Sequence, residues 1–169
     1  TVAEVRDILS FAARRGIPVT VRGAATGNYG QCIPLEGGIL LDLAALDRVL
    51  EISADGIATC EPGARLGVIE STARKSGWEL RCYPSTYQKA SVGGFLAGGS
   101  GGIGSISHGV LRDNQTVRWI KLLTLEPEPR EILLEGRDVF KALHAWGTNG
   151  VFVEVGLTLA PRTDWAQLA

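Results

Sequence analysis

Eight of the chain's 22 glycines lie between Gly93 and Gly109, in the run Ser91-Val-Gly-Gly-Phe-Leu-Ala-Gly-Gly-Ser-Gly-Gly-Ile-Gly-Ser-Ile-Ser-His-Gly109. A flexible linker is poor in apolar residues and padded with serine. This run instead interleaves Val92, Phe95, Leu96, Ala97, Ile103 and Ile106, and it stands mid-chain between structured segments. Glycine beside apolar residues marks a backbone that turns through positive φ, or one approached closely by another backbone or a ligand.

The rest of the composition narrows the class of protein. A length of 169 residues supports one compact domain or two small lobes sharing a core. A net charge of -1, from 17 basic and 18 acidic side chains without a run of like charge, argues against a non-specific nucleic-acid binder. No apolar stretch approaches the roughly 20 residues of a membrane span. The first fifteen residues carry Glu4, Arg6 and Asp7 where a signal peptide would place an apolar core, so a cytoplasmic location is expected. Cys32, Cys60 and Cys82 are odd in number and widely spaced, which fits neither a disulfide framework nor a zinc cluster. With only His108 and His144 beside them, no metal site is expected.

Periodicity predicts an opening helix that buries Val2, Val5, Ile8, Leu9 and Ala12, with Thr1 and Glu4 as a capping box and Gly16 as the stop. Val19 to Arg22 reads as a short strand leading into a tight loop, Gly23-Ala-Ala-Thr-Gly-Asn-Tyr-Gly30. A buried strand over 38–43 follows, then a hairpin of 48–52 with 57–60 across Ala54-Asp-Gly56. A second helix is expected over 64–76, strands over 116–125 and 131–134, a third helix over 137–146, and a half-buried final strand over 151–159. The order is that of an α+β fold, with a lobe boundary between residues 52 and 57.

Two loops carry candidate chemistry. Gly99-Ser-Gly-Gly-Ile-Gly104 spells G-x-G-x-x-G, but a dinucleotide fingerprint must follow a strand and open a long helix, and the residues after it are poor helix formers. The stronger signal is composite. Arg22-Gly-Ala-Ala-Thr-Gly27 follows a strand, and its small side chains leave backbone N–H groups free to face an anion. The segment from Pro84 to Gly102 offers a second set, with the Ser85, Thr86 and Ser91 hydroxyls as extra donors. Two phosphate-sized cradles suggest a pyrophosphate.

Further motifs stand in order along the chain: Glu61-Pro-Gly63, Leu66-Gly67, Pro84-x-Thr86, Ser91-Val-Gly-Gly94, Gly101-Gly102, His108-Gly109, Arg112-Asp113 and Gly147-Thr-Asn-Gly150-Val151. Together with the 22–27 loop they resemble, nearly end to end, the FAD-binding domain of the vanillyl-alcohol oxidase and p-cresol methylhydroxylase (PCMH-type) superfamily. The similarity is closest to the branch of the glycolate oxidase flavin subunit and D-lactate dehydrogenase. The resemblance implies a two-subdomain PCMH-type fold, with residues 1–52 and 53–161 as the subdomains, non-covalent FAD between them, and 162–169 leading to a C-terminal substrate domain. It implies that Arg22, Gly23, Ala24, Ala25, Thr26, Gly27, Asn28 and Tyr29 clasp the pyrophosphate. From the second lobe, Pro84, Ser85, Thr86, Ala90, Ser91, Val92, Gly93 and Gly94 would line the pyrophosphate and ribityl chain. Ala97, Gly98, Gly99, Gly101 and Gly102 would border the isoalloxazine, and Gly150, Val151 and Val153 would meet the adenine and ribityl parts.

The chain also departs from that pattern. Thr26 stands where some relatives attach FAD through histidine, which excludes that linkage. Gly98-Gly99 replaces a frequent Thr-Asn, and His108 replaces a frequent tyrosine and is a candidate flavin contact. His144 is expected to be structural. The implied activity is oxidation of a small 2-hydroxy acid by hydride transfer to FAD, with electrons passing to a separate acceptor. Two alternatives remain open from sequence: a reductase of the same flavin fold that uses NADPH on an enolpyruvyl sugar nucleotide, and a non-catalytic FAD-binding or assembly module.

Overall fold

The computed structural model describes residues 1–99, 101–113 and 116–164. It opens with helix α1 (Val2–Arg15), begun by the expected capping box of Thr1 and Glu4 and ended by Gly16 in the left-handed region at φ 64°. Strands β1 (Val19–Arg22) and β2 (Ile39–Asp42) form a separate two-stranded parallel sheet, in register from Val19 opposite Ile39 to Arg22 opposite Asp42. The loop over residues 23–38 joins them. Val5 and Leu9 of α1 pack on Leu41, Leu43 and Leu46.

The larger sheet has the order β3-β4-β8-β6-β7, built from β3 (Val49–Ile52), β4 (Ile57–Cys60), β6 (Val117–Leu123), β7 (Glu131–Glu135) and β8 (Val151–Pro161), all antiparallel. A short strand β5 (Trp78–Leu80), not expected from sequence, pairs with the far end of β8. The expected 48–60 hairpin is therefore wholly in the larger sheet. The change of sheet falls between Asp42 and Val49, ahead of the expected break at residue 52.

Three elements differ from expectation for identifiable reasons. Strand β8 is buried over most of its length, because Val151 and Val153 pack in the core with α1 while Phe152, Val155, Leu157 and Leu159 pack in the larger core. The expected third helix is only a 3-10 turn over Gly136–Lys141. Beyond it, the His144 and Trp146 N–H groups donate to Leu96 and Ala97 rather than to carbonyls four residues back, and both residues adopt positive φ. The third difference is helix α3 (Val92–Gly98), which forms inside the glycine run. Helix α2 (Leu66–Lys75) and a one-turn helix α4 (Ser105–His108) complete the described chain. Segment Gly99 to Gly104 thus follows a helix and precedes one turn, which removes the dinucleotide-fingerprint reading.

One core lies under the larger sheet and another lies between the sheets. The first is built around Leu66, Ile69, Val92, Leu96, Ile120 and Val155; the second joins α1 and β2 to Leu123, Val151 and Val153. The lobes are thereby packed together rather than tethered. Among the described residues no helix is long and apolar enough to cross a membrane.

Candidate functional site

A groove of about 460 Å³ runs between the two lobes, within the usual size of a ligand site. One wall is the loop after β1, where Gly23, Ala24, Ala25, Thr26, Gly27, Asn28 and Tyr29 all line the space. The opposite wall is made by Pro84, Thr86, Ala90, Ser91, Gly93 and Gly94, continuing along α3 through Ala97 and Gly98 to Gly99. Gly150 also lines the groove.

The first wall is rich in unused donors. Ala24 N–H donates across the groove to Ser91 Oγ at 3.1 Å, but no described residue accepts from the N–H groups of Ala25, Thr26, Gly27, Asn28 or Tyr29. Five consecutive unclaimed donors at a partly exposed loop are an anion-seeking surface. The loop is held at its root by Arg22, whose Nε and Nη2 donate to Asp42 Oδ2 at 3.1 and 2.7 Å. The Ala44 N–H and the Arg22 guanidinium hold the Asp42 carboxyl below its ordinary pKa. Arg22 is thus a strut at the end of β1 and does not line the groove.

The second wall is fixed by a strap formed by residues 61–66. Val92 and Gly93 donate their N–H groups to Ala64 and Pro62 carbonyls, both at 2.8 Å, and Leu66 N–H donates to Ala90. The strap is anchored in turn by Glu61, 5% exposed, whose carboxylate accepts from Arg48 N–H at 2.9 Å and Arg48 Nη2 at 2.7 Å. Arg48 accordingly lowers the Glu61 pKa. The Gly94 N–H, next in line, donates to no described residue, and it faces Gly23 across the groove. Ser91, 2% exposed, accepts from Ala24 through its hydroxyl oxygen and keeps the hydroxyl proton to donate.

No lysine, arginine, aspartate or glutamate lines the groove among the described residues. An anion there meets backbone dipoles and hydroxyls in place of fixed charge.

Eight sequence-expected site residues do not line this groove. Besides Arg22, they are Ser85, exposed on its loop; Val92, buried in the large core; and Val151 and Val153, buried against α1. His108 ends α4 outside the lining. Gly101 and Gly102 also lie outside it: a Cβ on Gly102 would overlap the Tyr83 carbonyl, so its bareness serves chain packing. In the other direction, the lining includes Val21, Gln31, Cys32, Leu43 and Phe95, none of which carried a motif, and Pro62, which belonged to a quoted motif without being named as a site residue. It also includes His144, Trp146, Gly147 and Phe152. Gly147 was part of a quoted motif, whereas His144 and Trp146 were hidden by the helical reading of their segment.

A doubly anionic, flat and elongated dinucleotide fits such a groove: unclaimed N–H groups face each other across a narrow waist, and bare glycine surface extends beyond it. Comparison with known proteins gives the same answer. The FAD binding domain family matches residues 1–125. An uncharacterised FAD-linked oxidoreductase of Mycobacterium tuberculosis is 34% identical over 175 residues, covering 97% of this chain and 37% of that protein. Glycolate oxidase subunit GlcD of Escherichia coli is 30% identical over 172 residues, covering 98% of this chain and 34% of that protein. The chain therefore spans little more than a third of the length of these relatives. Among solved structures, an alkyldihydroxyacetonephosphate synthase superimposes with a TM-score of 0.79 at 20% identity, over 94% of this chain and 30% of that one. The fold is the α+β PCMH-type one that the motifs implied. The chain belongs to the FAD binding domain family, and its cofactor is FAD.

Proposed function

We propose that FAD lies in the groove with its pyrophosphate at the waist, and that the protein containing this chain oxidises a small 2-hydroxy acid of the glycolate or D-lactate kind. The observation that carries the placement is the row of unclaimed N–H groups from Ala25 to Tyr29 opposite Ser91 Oγ and the Gly94 N–H. Bound FAD supplies a hydride acceptor. The residues of this chain bind and orient it. The loop over 25–29 and Gly94 meet the phosphate oxygens, Ser91 ties the walls together and donates its hydroxyl proton, and the glycines of α3 let the dinucleotide approach the backbone. Substrate contacts and the proton acceptor for the hydroxyl belong to the rest of the protein in this reading, as does the passage of electrons to an acceptor. We propose the lobes as α1 to β2 on one side of the groove and β3 to β8 on the other.

The choice of a 2-hydroxy acid is supported by the glycolate oxidase subunit among the relatives, which is aligned across nearly the whole chain. Titrating FAD into the purified chain tests the first part: binding with a visible flavin spectrum is expected, and a chain that takes up no added FAD overturns it. Anaerobic addition of glycolate or D-lactate to the FAD-loaded whole protein tests the second. Loss of the flavin's visible absorbance is expected with one of them, and an unchanged spectrum with both removes the 2-hydroxy-acid assignment.

A further inference from the structure

Three residues other than glycine adopt positive φ among the described residues, and all three line the groove: Ala25 at 52°, His144 at 58° and Trp146 at 56°. For a bulky L-residue this conformation is unfavourable and persists only where the surroundings impose it. Here the surroundings are the last carbonyls of α3. The His144 N–H donates to Leu96 at 3.0 Å and the Trp146 N–H to Ala97 at 3.1 Å, so one strained turn caps the helix and turns two aromatic side chains to the groove.

The rings are not placed there for the core. Trp146 remains 43% exposed, and its ring meets Tyr29 of the opposite lobe edge-to-face at 6.2 Å and His144 at 5.9 Å. Tyr29 is itself 80% exposed. A strained backbone that holds a tryptophan half in water, at the edge of a groove, gains little from folding alone. It gains when a flat apolar surface covers the indole.

We propose that Trp146 is a ring-binding residue of the groove, packing against a flat heteroaromatic ring of FAD with Tyr29 at its edge. The inference rests on the proposed location of FAD in this groove and adds a contact that the motifs did not place. Adenine and isoalloxazine share the required chemistry, and the two halves of FAD can be tested separately.

The test is FAD binding by calorimetry to the purified chain and to Trp146→Leu and Trp146→Phe, each checked for folding by circular dichroism. Losing an aromatic stack is expected to weaken FAD about tenfold or more in Trp146→Leu, with most affinity retained in Trp146→Phe. Should Trp146→Leu fail to fold, the Trp146 contribution to emission, taken as wild type minus Trp146→Phe, supplies a second readout and is expected to be quenched on saturation with FAD. Quenching of that contribution by ADP assigns the adenine, and quenching by FMN assigns the isoalloxazine. A wild-type chain that binds FAD while Trp146→Leu binds within twofold of it overturns the inference alone, as does an emission difference that saturating FAD leaves unchanged. A wild-type chain that binds no FAD overturns the location of the cofactor as well.

Discussion

Gly23→Ala tests how closely the two walls of the groove approach. A Cβ at Gly23 would overlap Ser91 Oγ, stand 3.5 Å from Ser91 Cβ and lie 3.8 Å from the Gly94 nitrogen. The serine hydroxyl must then swing away, and it is the acceptor for Ala24 N–H at 3.1 Å. A lost hydrogen bond of this kind costs about 1 kcal/mol, and forcing a methyl into a packed site costs about 1–3 kcal/mol more. The sum, roughly 2–4 kcal/mol, corresponds to a fall in Tm of roughly 5–15 °C for a domain of this size. The methyl also covers the Gly94 donor, so FAD affinity should drop about tenfold or more, the equivalent of one lost charged hydrogen bond. The double variant Gly23→Ala with Ser91→Ala removes the overlapping oxygen and leaves only an ordinary contact. Its melting temperature should lie near that of Ser91→Ala alone, a coupling as large as the whole Gly23→Ala effect, about 2–4 kcal/mol. Thermal melts and FAD titrations of the four proteins complete the cycle. If Gly23→Ala melts and binds FAD as the wild type does, the waist is wider than described. If the double variant is as unstable as the two single effects added, the overlap with Ser91 is not the cause.

Three further outcomes are expected. Because no lysine or arginine among the described residues lines the groove and Arg22 is engaged by Asp42, raising ionic strength about tenfold should change the FAD Kd less than about threefold, since screening acts chiefly on fixed charges; a steep salt dependence in titrations would reveal a cation contact. Gly98 borders the groove at the end of α3, where a Cβ meets nothing within 4 Å, so Gly98→Ala should melt no lower than wild type while binding FAD severalfold more weakly; unchanged affinity would show that the cofactor does not use that space. Arg48 lowers the Glu61 pKa in the folded chain, so its contribution is present above the unfolded value of about 4.3 and is lost as pH falls through the folded value. Melts between pH 5 and 3 should therefore fall more steeply for the wild type than for Glu61→Gln, and parallel slopes would contradict the strap's dependence on that carboxylate.

The elements legible in the sequence are those whose signals are local. Helix α1 carries both caps and a continuous apolar face within sixteen residues, and the 48–60 hairpin carries its turn at Asp55-Gly56. The loop after β1 was legible for the same reason, since small residues directly after a strand leave the main chain bare. Helix α3 was not legible, because each glycine in a helix costs up to about 1 kcal/mol against alanine and local propensity argues the other way. Its fold is decided by partners distant in sequence: Pro62 and Ala64 accept its first N–H groups, while His144 and Trp146 cap its last carbonyls. That last interaction also removed the expected helix over 137–146, so one long-range contact accounts for two local misreadings. The same contact brought His144 and Trp146 to the site, where their sequence neighbourhood suggested an ordinary amphipathic helix.

The glycine run itself divides into two kinds of position, and the division decides which residues face a ligand. At Gly93 a Cβ would stand 2.7 Å from Pro62 Cβ and 2.9 Å from its carbonyl oxygen, while at Gly102 and Gly104 it would overlap the carbonyls of Tyr83 and Arg81. These are bare so that the chain can wrap against the strap and against residues 81–84, to which Ile103 is bridged through Tyr83. Gly94 and Gly98 have no protein backbone so near: the first meets only Ser91 Oγ, at 3.0 Å, and the second meets nothing. Family resemblance sees residue identity alone and so counts Gly93, Gly94, Gly98 and Gly102 alike as cofactor glycines. The structure separates space already filled by the protein's own carbonyls from space left open, and only the open positions on α3 can owe their lack of a side chain to the dinucleotide. At Gly102, which the resemblance set beside the flavin, the space for a side chain is taken by the Tyr83 carbonyl, and at Gly101 a Cβ would meet the Val110 side chain at 2.9 Å. In the proposed placement the facing pair of Gly23 and Gly94, with Ser91 between them, joins the N–H row of Ala25 to Tyr29 at the pyrophosphate.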